Sequence, residues 1–184
     1  MTAGRGYAGA PATGGGFTLR PLRSTDAPDI VAACSDEQTQ AWLPLPDPYT
    51  TSDALRFVTE VAPAQCESGD GVVFGIEVGG RLHGCIDLKH TDWQAATAEV
   101  GYWVAPWARG QGLAARACRT LAEWALREQG LERVELHAAT GNVASNRAAE
   151  RAGFVREGLA RNAGRVRGGR VDLVVWSLVP GDLS

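Results

Sequence analysis

Hydrophobic spacing changes several times along the chain, and each change predicts an element. Val72-Val73-Phe74-Gly75-Ile76-Glu77-Val78 reads as a strand. Gly79-Gly80 is a hairpin turn, and Leu82 to Leu88 is the partner strand. Ala98 to Val104 is a third strand. The period then becomes helical. From about Gln111 to Glu128, Leu113, Ala117, Leu121, Trp124 and Ala125 fall on one face, and Gly130 ends the helix. Arg133 to Ala138 returns to strand spacing, and Asn142 to Arg151 is a short helix closed by Gly153. Phe154 to Leu159 and Val171 to Leu178 are the last two strands, joined by a loop rich in glycine and arginine.

Upstream, Thr18-Leu19-Arg20 alternates like a strand that Pro21 ends. Ser24-Thr25-Asp26 offers capping residues for a helix through Ile30 and Val31. Pro44, Pro46 and Pro48 stiffen the next loop. Thr51 or Ser52 then caps a helix with Asp53 in its first turn and Ala54, Leu55, Val58 and Val61 along one side. The order is mixed α and β, with hairpins first and a βαβ crossover later. One domain is expected over 17–184. Residues 1–16 hold six glycines and little that could pack, and read as a disordered tail.

Composition narrows the function. The chain has 184 residues and a net charge of −3, with no apolar run long enough for a membrane helix. Basic residues do not outnumber acidic ones, which argues against a nucleic-acid partner. Cys34, Cys66, Cys85 and Cys118 are scattered without a C-x-x-C pair, and there are only three histidines. No metal site or disulfide framework is expected, and a reducing cytoplasm fits. Lys89 is the only lysine among 18 basic residues, a bias that suggests a GC-rich bacterial genome.

The chemistry concentrates in Val104-Ala-Pro-Trp-Ala-Arg109-Gly110-Gln111-Gly112-Leu113-Ala114, where a strand ends, glycines turn, and a helix starts. Free amides of a first helical turn converge on one point and, with the helix dipole, suit a pyrophosphate. Arg109 would add a cation. The same glycines also serve a plain tight turn. The segment is not a Walker loop, which needs a lysine here, nor a dinucleotide fingerprint, because Ala115 stands where a third glycine belongs.

Arg109-x-x-Gly112-x-Ala114 resembles the R/Q-x-x-G-x-G/A signature of the GNAT superfamily of N-acetyltransferases. Glu99-Val-Gly-Tyr-Trp-Val before it, and Asn142-Val-Ala-Ser145-Asn146 with Ala152-Gly153-Phe154 after it, are similar to the RimJ/RimL branch. The resemblance implies an α/β (α+β) fold: a central, mixed, mostly antiparallel splayed sheet of about seven strands flanked by helices. It implies acetyl-CoA as co-substrate, held in the splay. Backbone groups of Val104 and Ala105 would pair with the pantetheine arm. The amides of Arg109, Gly110, Gln111, Gly112, Leu113 and Ala114 would hold the pyrophosphate, and Asn142 would touch the pantetheine. The implied acceptor is a primary amine on a peptide or small molecule, and a homodimer is common among similar proteins.

Acetyl transfer to an amine needs a base for the ammonium proton, a donor for the oxyanion and a proton for the leaving thiolate. Glu99, on the strand that feeds the loop, is the candidate base, and Val104 or a neighbour the oxyanion donor. Ser145 is the candidate acid, because RimL-like enzymes use the serine of N-x-x-S. Two departures from the family stand out. Ala149 occupies the place of the tyrosine acid of many GNAT enzymes, and Gly164 the place of the RimL-like glutamate. Those departures leave a non-catalytic acyl-CoA-binding module as the alternative. His137, beside Glu135, reads as a half-exposed strand histidine, and Trp42 as a wall of the acceptor pocket or a core residue.

Overall fold

A computed structural model describes residues 5–11 and 14–183. Seven strands form one sheet in the order β1-β2-β3-β4-β5-β7-β6. They are β1 (Thr18–Arg20), β2 (Val72–Val78), β3 (Arg81–Asp92), β4 (Thr97–Val104), β5 (Arg133–Ala139), β6 (Val155–Val166) and β7 (Gly169–Leu178). Every pairing is antiparallel except β4 with β5. That parallel pair is joined by α5 (Leu113–Arg127), the crossover that parallel strands require.

Side-chain alternation divides the sheet into two faces. On one, Ile86, Leu88, Val100, Val134 and Leu136 meet Leu121, Cys118 and Ala125 of α5 and Ala149 of α6 (Val143–Arg151). Leu121 is fully buried there. The opposite face carries Leu82 and Trp103 against α1 (Ala27–Cys34) and the run that begins with α3 (Thr51–Arg56). That run continues through a π-helical turn at Phe57–Val61 into α4 (Ala62–Ser68). Among the described residues, no helix is long and apolar enough to cross a membrane.

Several local expectations shift. The cap of α3 is Thr50, which exchanges bonds with Asp53 in a capping box. Strands β3 and β6 run beyond the predicted ends, because hairpin pairing recruits residues too polar to announce a strand. A short helix, α2 (Glu37–Trp42), is added before the prolines. Its cap is Asp36, whose carboxylate accepts from the Thr39 N–H at 3.0 Å.

The expected tail differs most. Residues 1–4, 12 and 13 lie outside the described residues. Of the rest, Tyr7 packs 4.8 Å from Trp93 and 5.7 Å from Trp124 between ring centroids. Its hydroxyl lies 2.8 Å from Thr91 Oγ1. Ala8 exchanges two hydrogen bonds with the Gln129 side chain. One aromatic anchor thus docks a segment whose glycine content alone reads as unstructured.

Candidate active site

The parallel β4–β5 ladder is short. It pairs Thr97 with Arg133, Ala98 with Val134 and Glu99 with Glu135, and stops there. Beyond Glu99 the two strands part, leaving facing backbone edges without strand partners. A cleft of about 670 Å³ fills the gap. It is lined by β4 from Glu99 to Val104, β5 from Leu136 to Ala139, the loop into α5, and the first turns of α6.

The loop at its mouth is shaped by two glycines. Gly110 (φ +77°) and Gly112 (φ +68°) occupy the left-handed region that other residues enter at a cost. A Cβ on either would meet nothing within 4 Å, so backbone angle rather than crowding calls for glycine. The second places α5 so that its first amides, from Leu113 onward, precede any helical carbonyl they could donate to. Gly110, Gly112, Leu113 and Ala114 all line the cleft.

Three neighbours of that loop depart from expectation. The Arg109 guanidinium turns away from the helix start and grips α2. It donates to Asp36 at 2.5 Å, to Thr39 Oγ1 at 2.9 Å and to Gln38 Oε1 at 2.9 Å. The same guanidinium holds the Asp36 carboxyl below its usual range. Ala105 is buried, its N–H already donates to the His83 carbonyl at 2.9 Å, and it does not line the cleft. Gln111 is exposed between the two glycines, its Nε2 donates to the Trp107 carbonyl at 3.4 Å, and it lies outside the lining, while Val104 remains on the open strand edge.

On the far wall, α6 is positioned by two asparagines. Asn142 caps it, its Oδ1 accepting from the Ser145 N–H at 3.1 Å. Asn146 donates to the Ala139 carbonyl and accepts from the Trp176 indole, both at 3.0 Å. Ser145 is therefore held at the cleft wall, and its Oγ accepts a 3.0 Å hydrogen bond from Tyr102 Oη. Tyr102 comes from β4, and burial raises its pKa, so the phenol stays protonated. The Glu99-Val-Gly-Tyr-Trp-Val motif contains this tyrosine but gave it no role. Only its alternation with Val100 and Val104 placed it on the face toward α6.

At the foot of the cleft stands Glu99. Its carboxylate lies 3.2 Å from Lys89 Nζ, 3.4 Å from His137 Nδ1 and 3.4 Å from His90 Nδ1. Burial alone would raise this carboxyl, but the His137 hydrogen bond and the Lys89 ammonium outweigh it and hold the pKa at about 2. On β3, burial instead raises Asp87, whose Oδ1 would lie 2.6 Å from a Cβ on Gly101. Gly164 also lines the cleft, and a Cβ there would meet Leu173 at 2.6 Å and Val171 at 3.0 Å. Apolar side chains thus crowd this position, where the resemblance implies a glutamate.

The arrangement offers backbone partners for an extended arm, an anion cradle at one end and paired proton carriers at the other. Comparison with known proteins gives the family. Residues 17–155 match the family model described as an acetyltransferase (GNAT) domain. YdaF of Bacillus subtilis (strain 168), provisionally named a ribosomal N-acetyltransferase, is 34% identical over 168 residues, covering 89% of this chain and 91% of YdaF. RimJ of Mycobacterium smegmatis in complex with CoA-disulfide superposes with a TM-score of 0.82 at 23% identity, covering 91% of this chain and 83% of that one. The microcin C7 self-immunity acetyltransferase MccE, in complex with acetyl-CoA and AMP, gives 0.80 at 22% identity, over 89% and 92%.

Proposed function

The chain belongs to the GNAT acetyltransferase family and is an acetyl-CoA-dependent N-acetyltransferase. From that premise we propose that it acetylates the N-terminal amine of a protein or peptide, with Glu99 as base and Ser145 as acid. The observation that carries the reading is the short β4–β5 ladder, which opens directly above Glu99 and beside Ser145. The name given to YdaF supports a protein acceptor. Work in a bacterial cytoplasm follows from the same reading.

The proposed steps use this chain's own groups. The open edge of β4 at Val104 pairs with the pantetheine arm and presents a backbone N–H to the thioester oxygen. The amides from Gly110 to Ala114 receive the pyrophosphate. Asn142, committed to capping α6, acts by holding Ser145 in place. Arg109 acts through α2 rather than on the phosphates. Glu99 takes a proton from the acceptor ammonium, and the free amine attacks the acetyl carbonyl. Because Tyr102 donates to Ser145 Oγ, the serine's own proton is free to face the leaving sulfur.

Thiol release from acetyl-CoA across a panel of peptides, polyamines, amino acids and aminoglycosides tests the proposal. Turnover is expected with free peptide N-termini. Turnover confined to small amines would replace the protein acceptor. CoA binding with no turnover at all would favour a binding module instead.

A further inference from the structure

His137 sits between two carboxylates. Its Nδ1 lies 3.4 Å from Glu99 Oε2, and its Nε2 lies 2.9 Å from Glu135 Oε2. The line continues outward. Glu135 Oε1 accepts from Arg133 at 2.7 Å, and Arg133 pairs with Glu157, which accepts from Ser177 at 2.7 Å. The His137 side chain is 27% exposed and lines the cleft; Arg133, at 26%, is outside the lining, and Glu157, at 41%, is the most exposed group of the line. A lone strand histidine has no need of a carboxylate on each nitrogen.

We propose that Glu99 and His137 act as one proton-accepting unit, with Glu135 fixing the ring and passing the proton outward. This rests on the reading of Glu99 as the base. In the working form the ring is neutral, with Nε2–H donating to Glu135; the Nδ1–H to Glu99 hydrogen bond that depresses Glu99 and raises the ring forms only when Nδ1 takes a proton. The first ammonium proton of the acceptor crosses Glu99 to Nδ1. The amine then forms the C–N bond, and the C–S bond breaks. The second amine proton ends on the departing sulfur through Ser145, giving the free thiol. The proton on His137 leaves through Glu135 to water, so one proton is released per acetyl moved.

The geometry also explains why a carboxylate as acidic as Glu99 can serve. Lys89 and the charged ring leave Glu99 holding a proton only weakly, so the imidazole behind it keeps the proton that Glu99 passes on. The charged groups around the ring are Glu99 from β4, Glu135 and Arg133 from β5, Lys89 and His90 from β3 reaching it through Glu99, and Glu157 from β6 beyond Arg133. The hydrogen bond to Glu99 and the two negative charges raise the ring's pKa. Turnover requires the neutral ring, so the rate should climb with pH through a midpoint above the ordinary histidine value of 6.5.

Two measurements test the unit. The first is NMR titration of the imidazole protons, with His137 assigned by the resonance missing from His137→Gln. The wild-type midpoint should lie above 6.5 and should fall in Glu135→Gln. A midpoint at or below the ordinary value overturns the proposal. The second is kcat against pH, using the best amine from the panel at saturating acetyl-CoA. The limb should follow the NMR midpoint in wild type and in Glu135→Gln. In His137→Gln the limb should vanish, with kcat down on the order of 100-fold and acetyl-CoA affinity unchanged. If His137→Gln keeps the rate and the limb while Glu99→Gln is inactive, Glu99 works alone and the unit is refuted. If Glu99→Gln is itself active, the underlying reading of the base fails.

Discussion

Tyr102 Oη donates to Ser145 Oγ at 3.0 Å, tying β4 to α6 across the cleft. The bond gives direction to a hydroxyl that would otherwise rotate freely. Ser145→Ala should lower kcat about 10- to 100-fold with acetyl-CoA affinity retained. Tyr102→Phe should cost less, because Ser145 keeps its own proton. The double variant should lose little beyond Ser145→Ala, since the two hydroxyls act on one proton. Steady-state kinetics with a double-mutant cycle measures this, and additive losses would separate the two groups.

Glu99→Gln removes the carboxylate at the foot of the cleft while keeping its shape. The expected result is a fall in kcat on the order of 100-fold or more, with the Kd for CoA within about twofold. Calorimetric titration with CoA, read beside the rate, checks both halves.

Gly112 holds φ +68° in open space. Gly112→Ala meets no clash but must adopt that backbone angle, at a cost of about 1–2 kcal/mol. The loss should appear mainly as weaker CoA binding, because the strained residue sets the aim of the α5 amides. Thermal unfolding with and without CoA separates the two effects.

Arg109 and Asp36 join the glycine loop before α5 to α2, whose Trp42 and neighbouring Leu43 also line the cleft. Arg109→Gln should therefore raise KM for the acceptor more than KM for acetyl-CoA. Stability should fall by no more than about 1 kcal/mol, as for other partly exposed ion pairs. Initial-rate kinetics with each substrate varied in turn decides it. A larger effect on acetyl-CoA would return the guanidinium to the phosphates.

Stability should depend on pH through the same dyad. Glu99 is depressed to about 2, so its contribution is present above its ordinary pKa and is lost as pH falls from 4.5 toward 2. His137 is raised, so its contribution is complete below 6.5 and is lost as pH climbs through the raised value. Tm measured against pH should fall on both sides. His137→Gln should flatten the alkaline side, lower Tm near neutrality and shrink the acid side, because the imidazole also depresses Glu99.

The strands and the crossover helix were legible because their apolar periods are unambiguous. Leu121 and Leu136 sit in the core as their spacing requires. The turn into α5 was legible because Gly110 and Gly112 follow a strand and open a helix. What stayed hidden was side-chain direction. Arg109 reads as a phosphate ligand until α2 appears beneath it, and α2 is too short to show a period. Tyr102 and His137 were visible only as strand residues. The partner of Tyr102 lies 43 residues away, and the second carboxylate on His137, Glu99, lies on a parallel neighbour, whereas Glu135 is two residues off on the same strand. Long-range pairing of that kind leaves no local signal. Tyr7 shows the reverse, a single anchor lost in a glycine-rich stretch.

The most direct test of the central claim couples thiol release to mass spectrometry of a free-N-terminal peptide panel incubated with acetyl-CoA. One acetyl group on the N-terminal amine for each CoA thiol released, abolished in Glu99→Gln while CoA still binds, is the predicted result. Undiminished acetylation by Glu99→Gln, or CoA binding with no acetylated peptide, would contradict it.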